Sequence, residues 1–315
     1  MAAGFHTRVS DVSDMSKAAL FRALLKKPGI IAMPGCYAPF VAMIAQKVGF
    51  KAAYISGGAI TTCQGMPDIE LLSGTEMVRL AGDIAASVTI PCICDADTGY
   101  GGPLSIRKTV QEFERAGIAG IHLEDQQSPK RCGHLQGKTL VSTKEMVQRI
   151  LAAVDGRKDR DFLIIARTDA AASEGMEGAV RRAEAYVEAG ADAIFPEALG
   201  TKEDFARFAR SVDVPLLANM TEFGKTPYLT AAEFGELGYK MVIFPLTAMS
   251  ATLKAVEDTL IELRDKGTQK HILDRFTTRD ERYELIRYAE YQRLDTALAE
   301  RTESIGKKDG GKNHG

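Results

Sequence analysis

Gly117-Ile118-Ala119-Gly120-Ile121-His122-Leu123-Glu124-Asp125 holds the pattern that decides the fold: a glycine, a short apolar run, then an abrupt pair of acids. A glycine after a helical stretch supplies a left-handed cap, and a brief apolar run behind it reads as a buried parallel strand. The unit recurs. Gly49 precedes Ala52-Ala53-Tyr54-Ile55 and Ser56, Gly190 precedes Ala193-Ile194-Phe195-Pro196 and Glu197, and Gly238 precedes Met241-Val242-Ile243-Phe244 and Pro245. Similar runs at 30–33, 90–94, 162–166 and 215–218 bring the strands to about eight.

Helical spacing fills the intervals at 76–86, 105–116, 144–154, 176–189 and 202–211. Strand and helix alternating at this count predict an α/β protein, a single (β/α)8 TIM-type barrel with extra C-terminal helices over residues 1–305. An open doubly wound sheet is the alternative. The surplus helix, at 251–264 and from 279 to about 300, carries Leu285, Tyr288, Tyr291 and Leu294 at helical spacing. Such a face packs on the barrel itself or on a second subunit. Residues 306–315 are rich in Lys and Gly and are expected to form a disordered tail.

A chain of 315 residues with 45% hydrophobic content is long enough for one large core. Its net charge of -2, with both signs interleaved, supplies neither a basic stripe for nucleic acid nor a cationic face for a membrane. Small-molecule partners are expected. No apolar run approaches the roughly 20 residues of a membrane helix, and the N-terminus lacks a signal-peptide layout, so a cytoplasmic protein is expected. Five scattered cysteines read as reduced thiols.

In a barrel the C-terminal strand ends converge on one mouth. Here they bring together Ser56, Asp95, Asp97, Glu124, Asp125, Arg167, Asp169, Glu197, Asn219, Thr221 and Glu222. Asp95 and Asp97, with Glu124 and Asp125 on the next strand, form an all-oxygen set suited to a hard cation, Mg²⁺ or in its place Mn²⁺. Cys92 and Cys94 lack further Cys or His nearby and read as packing residues. Arg167 is placed to bind a carboxylate bidentately, and Ser56-Gly57-Gly58 offers N–H groups and a hydroxyl to another. The segment Lys130-Arg131-Cys132-Gly133-His134 follows Glu124-Asp125 closely, and its cations should depress the Cys132 thiol towards the range useful for proton transfer. Gly133 and Gly137 would let it move over the mouth.

The strings YISGG from Tyr54, DADTGYG from Asp95, HLEDQ from His122, KRCGH from Lys130, ARTDA from Ala166, FPEA from Phe195 and LANMTEFG from Leu217 resemble the isocitrate lyase and phosphoenolpyruvate mutase superfamily over roughly residues 16–301. The resemblance is strongest to the branch that cleaves 2-methylisocitrate into pyruvate and succinate. It implies a barrel whose terminal helix is exchanged between subunits of a homotetramer. It also implies Mg²⁺ held by Asp95 and Asp97 with Glu124 behind them, and Cys132 as the proton donor, with Lys130, Arg131 and His134 beside it. Tyr54 is a candidate for the initial base. Ser56, Gly57, Gly58, Gly133 and Arg167, with Glu197, Asn219, Thr221 and Arg279, are then the substrate residues. One departure stands out: after the last strand relatives read P-x-[ST]-x-x-R, whereas this chain has Ser250 in place of the Arg. The missing cation leaves room for a dicarboxylate such as 2,3-dimethylmalate or oxaloacetate.

Overall fold

The computed structural model describes residues 15–131 and 137–309. The chain divides into two compact units, residues 1–253 and 254–315. The first is built on eight parallel strands: β1 Ile31–Cys36, β2 Ala53–Ile55, β3 Cys92–Asp95, β4 Gly120–Glu124, β5 Leu163–Thr168, β6 Ala193–Pro196, β7 Leu217–Asn219 and β8 Met241–Phe244. They pair in the order β6-β5-β4-β3-β2-β1-β8-β7. A parallel bridge between Ile194 and Leu216 joins the two ends, with the Ile194 N–H donating to Pro215 O at 3.1 Å. The ring is nearly closed, so the barrel expectation is met and the open sheet is excluded.

Gly49, Gly117, Gly190 and Gly238 all have positive φ, at 101°, 80°, 100° and 99°. Each therefore ends its helix in the conformation that only glycine adopts without strain, which is why the repeated glycine marks the strands. Around the ring run α2 Pro39–Lys47, α3 Gly57–Cys63, α4 Gly74–Ala86, α5 Pro103–Arg115, α6 Thr143–Gly156, α7 Ala171–Glu188, α8 Lys202–Ser211, α9 Ala231–Glu236 and α10 Thr247–Lys266. Gly175 (φ 71°) breaks α7 near its start. The helical period is consequently legible only from Met176 onward.

Inward side chains alternate with outward ones along each strand. Met33, Ile93, Leu163, Ile165, Leu217, Met241 and Ile243 fill the interior in one cluster, whereas Cys92 and Cys94 join the layer between sheet and helices. Phe21, fully buried, belongs to the interior cluster although it comes from α1, Lys17–Lys26, a helix ahead of the first strand that the sequence reading did not anticipate. Ser16 caps it, its Oγ accepting from the Ala19 N–H at 3.1 Å.

The second unit contains the end of α10, a 3-10 turn Lys270–Arg275, α11 Arg279–Leu285 and α12 Tyr288–Asp309. Arg287, at φ 54°, separates the last two helices. The final helix continues through Asp309, so residues 306–309, Gly306 included, are helical where a tail was expected. Residues 310–315 lie outside the described residues. Tyr291, Leu294 and Leu298 on α12 are 62%, 55% and 60% exposed, an apolar face on the second unit. No helix among the described residues is long and apolar enough to cross a membrane.

Candidate active site

Asp95 closes β3, and two residues later the backbone of Asp97 turns into the left-handed region, at φ 46°. The Asp97 N–H donates to Asp95 Oδ1 at 3.1 Å, and the Tyr100 hydroxyl donates to Asp97 Oδ2 at 3.1 Å. This turn folds two like charges against each other in a buried place. Burial raises both carboxyls, Asp97 to about 6. Gly57, in the first turn of α3, makes room for them: a Cβ there would meet Asp95 Oδ2 at 2.6 Å. Ser56 caps the same helix, its Oγ accepting from the Ala59 N–H at 3.3 Å, which leaves its hydroxyl hydrogen available.

Strand register sets the next pair. Glu124 of β4 lies beside Arg167 of β5, and the guanidinium Nε stands 3.3 Å from Glu124 Oε2 and 2.9 Å from Asp169 Oδ2. Its Nη2 is 3.4 Å from Glu197 Oε2, and the group lies over Phe195, 5.1 Å from the ring centre. Burial alone would lower Arg167, but Asp169, Glu124 and Glu197 hold it well above its ordinary value, so the charge is permanent. Burial drives Glu124 strongly upward, and neither of its buried oxygens accepts a hydrogen bond from a described residue.

Asp125 corrects the sequence reading. It was expected to join the acid set, but neighbours along a strand face opposite ways. Its carboxylate accepts instead from the Thr168 hydroxyl at 2.8 Å, the Asp169 N–H at 2.9 Å and the Tyr186 hydroxyl at 2.8 Å, with Arg182 at 3.4 Å. It braces the end of β5 from behind the mouth.

Lys130 begins the thiol-bearing segment. Its ammonium lies 2.5 Å from Asp68 Oδ1 and 2.9 Å from Asp97 Oδ1, and its N–H donates to Glu70 Oε2 at 3.3 Å. Burial opposes the charge, but Asp97, Glu124, Asp95 and Asp68 keep Lys130 well above the ordinary lysine range. Arg131 is exposed, its N–H and carbonyl clasped by the side-chain amide of Gln126 at 3.0 and 2.8 Å. Cys132, Gly133 and His134 lie outside the described residues. Beyond them Lys138 reaches Asp169 Oδ1 at 2.7 Å.

At the floor the Tyr54 hydroxyl is 2.8 Å from His122 Nε2, with the two rings stacked and Phe195 edge-on to the imidazole. His122 Nε2 is also 3.6 Å from Asp95 Oδ1. Burial, then Arg167, pushes His122 down to about 3, so the imidazole is neutral. Burial and Asp95 push Tyr54 well above its usual value. Tyr54 is therefore a neutral phenol at rest, hydrogen-bonded to His122.

Tyr54, Ser56, Gly58, Asp95, Lys130, Arg167, Glu197, Asn219 and Thr221, all anticipated, line one cavity of about 60 Å³. The Asn219 amide donates to both Glu197 oxygens, at 3.3 and 3.2 Å. Asp68, Phe195, Ile243, Pro245 and Leu246 complete the lining. Asp68 and Glu70 escaped the sequence reading because they sit in an irregular connection between α3 and α4, where acids are ordinary. Ser250 is exposed, one turn into α10, and Leu246 is the residue of that segment at the cavity. Arg279 belongs to the second unit, where it opens α11. A larger cavity of about 720 Å³ lies beside the starts of α5 and α6 and contains none of the mouth acids.

The buried Asp95, Asp97, Glu124, Asp169 and Glu197 and the half-buried Asp68 face Lys130, Lys138 and Arg167, an excess of carboxyl groups over cations. Among the described residues no three acid, His or Cys side chains converge closely enough to hold an ion unaided. A hard divalent cation fits this donor set, because it takes one or two carboxylates and fills its remaining positions with water and substrate oxygens. The orphaned oxygens of Glu124 would accept from such waters.

The family model described as phosphoenolpyruvate phosphomutase matches residues 21–264. The 2-methylisocitrate lyase of Aeropyrum pernix is 52% identical over 286 residues, covering 91% of this chain and 92% of that protein. The crystal structure of 2,3-dimethylmalate lyase superposes with a TM-score of 0.85 at 36% identity, over 90% of this chain and 96% of the other. Phosphonopyruvate hydrolase, solved in complex with oxalate and Mg²⁺, gives 0.81 at 31% identity, over 90% and 99%. With the barrel, the acid turn and the Arg167 cluster in place, these likenesses are decisive: the chain belongs to the phosphoenolpyruvate mutase and isocitrate lyase superfamily of enzymes.

Proposed function

We propose that this protein is a carbon-carbon lyase that splits 2-methylisocitrate into pyruvate and succinate. The observation that carries this reading is a cavity that Arg167 and Lys130 share with Asp95, Glu197 and Asn219, closed by Phe195, Ile243, Pro245 and Leu246, in a chain 52% identical to a 2-methylisocitrate lyase. Permanent cations interleaved with acids suit a substrate with several carboxylates and a hydroxyl.

Asp95 and Asp97, with Glu124 behind them, would hold Mg²⁺, for which Mn²⁺ is the natural substitute. That ion supplies positive charge to the substrate's oxygens where negative charge develops. Arg167 binds the carboxylate of the future pyruvate with its planar fork, joined by the first turn of α3 at Ser56, Gly57 and Gly58. Asn219, Thr221 and Glu197 border the remaining fragment, and the family resemblance adds Gly133 and Arg279 to the substrate residues. Tyr54, held by His122, hydrogen-bonds the tertiary hydroxyl. Tyr54 takes that hydroxyl's proton as its own passes to His122 Nε2, 2.8 Å away; cleavage of the adjacent carbon-carbon bond then leaves pyruvate, and the electron pair departs with the succinate fragment, spread onto its carboxylate. Cys132 gives that carbon its proton, with Lys130, Arg131 and His134 holding the thiol in the useful range.

The exposed apolar face of α12 is proposed to pack on other copies of the chain, in a cytoplasmic homotetramer. The whole of residues 1–305 is proposed to act as one catalytic unit with its helical extension. Ser250 supports a second reading, a lyase for 2,3-dimethylmalate, since a related structure has that name and this chain lacks the extra Arg. Product identification from a panel of these acids with Mg²⁺ separates the two.

A further inference from the structure

Lys138 follows Gly137, whose φ of 77° turns the chain, and its side chain is only 6% exposed. Its ammonium donates to Asp169 Oδ1 at 2.7 Å. The same oxygen accepts from Arg167 Nη2 at 3.2 Å, and Oδ2 accepts from Arg167 Nε at 2.9 Å. Asp169 is thus gripped on three sides: Arg167 takes both oxygens, Lys138 takes one of them, and Asp125 accepts its N–H from behind at 2.9 Å. Lys138 and Lys130 leave the two ends of the segment between them on opposite parts of the mouth, one on the acid that orients Arg167 and the other on Asp97.

We propose that Lys138 is a positioning residue for carboxylate binding: by holding Asp169, it fixes the plane in which Arg167 presents its remaining N–H groups to the substrate. The inference rests on the reading of Arg167 as the carboxylate-binding group. Its chemical basis is competition for one oxygen. An ammonium on Oδ1 draws charge from the edge that faces Nη2, which loosens the Arg167–Asp169 pair there and leaves the guanidinium fork open to a ligand. Without Lys138, Asp169 has Arg167 as its nearest cation and draws the fork away from the cavity.

The test compares the wild type with Lys138→Met, which keeps the stem and removes the charge, and with Lys138→Arg. Calorimetric titration with oxalate in Mg²⁺ reads ligand affinity, and steady-state cleavage of 2-methylisocitrate separates KM from kcat. The expected result for Lys138→Met is oxalate affinity weakened on the order of tenfold and KM raised similarly, the worth of one charged contact. Its kcat should stay within roughly threefold, and Lys138→Arg should recover most of the affinity. Unchanged oxalate affinity in Lys138→Met, or a fall in kcat with KM and oxalate affinity intact, would overturn the proposal. If Lys138→Met does not fold, Lys138→Gln takes its place under the same criteria. A wild type that binds oxalate but leaves 2-methylisocitrate uncleaved defeats the substrate reading alone, and the oxalate titration then decides this inference. A wild type that binds no oxalate removes both.

Discussion

Lys130 places its ammonium 2.9 Å from Asp97 Oδ1 while its own backbone opens the segment that carries Cys132. Lys130 thereby ties the acid turn after β3 to the chain leaving β4, and Asp68 is its second acid, 2.5 Å from the same nitrogen.

Lys130→Met should lower kcat/KM by roughly 10²-fold or more, because removing one partner of a buried ion pair costs about 3 to 5 kcal/mol of interaction. The uncompensated acids should also bind a divalent cation more eagerly. Melting curves with and without Mg²⁺ check this: the rise in Tm on adding the ion should exceed that of the wild type.

Asp97 titrates at about 6 in the folded chain against an ordinary value of 3.8. A raised carboxyl keeps its proton in the folded state after the unfolded state has lost it. Stability without a divalent cation should accordingly fall as pH rises from about 4 to about 6. Mg²⁺ should offset the loss, so its stabilising effect should grow across the same window. Asp95→Asn and Asp97→Asn should each weaken that pH-dependent gain, as measured by denaturant unfolding in chelator and in Mg²⁺.

The fold was legible because its signals are local. Each capping glycine ends a helix by its own φ, and each apolar run buries itself whatever its neighbours do. The cavity lining was legible for the same reason, as residues such as Arg167 and Glu197 are fixed to strand ends. What escaped notice was set by direction or by distance along the chain. Asp125 reads like Glu124 in sequence but points the other way, to Tyr186 and Arg182. Asp68 meets Lys130 across 62 positions and Lys138 meets Asp169 across 31, and no spacing rule spans either gap. Tyr54 kept its place at the floor, but its neutral hydroxyl and His122 partner depend on burial that composition does not reveal.

Arg167→Lys should raise KM by about 10- to 100-fold, since a lysine keeps the charge but loses the planar fork, a loss of roughly 1.5 to 3 kcal/mol. The kcat should change less. Initial-rate kinetics at saturating Mg²⁺ distinguish this outcome from an equal fall in both parameters, which would place Arg167 in the bond-breaking step rather than in binding.

Cys132→Ser should leave oxalate and succinate binding within about twofold of wild type and reduce turnover by some 10²- to 10⁴-fold, the usual contribution of a positioned general acid. Parallel calorimetry and kinetics on the variant test it. Turnover at the wild-type rate would assign the proton to another donor.

The most direct test of the account is to incubate the protein with Mg²⁺ and 2-methylisocitrate, isocitrate, 2,3-dimethylmalate and oxaloacetate in turn, and to identify the products by mass spectrometry. The account predicts equimolar pyruvate and succinate from 2-methylisocitrate, with kcat/KM higher than for the other three, and no product in chelator. Absence of pyruvate from 2-methylisocitrate, with turnover of one of the others, would contradict it.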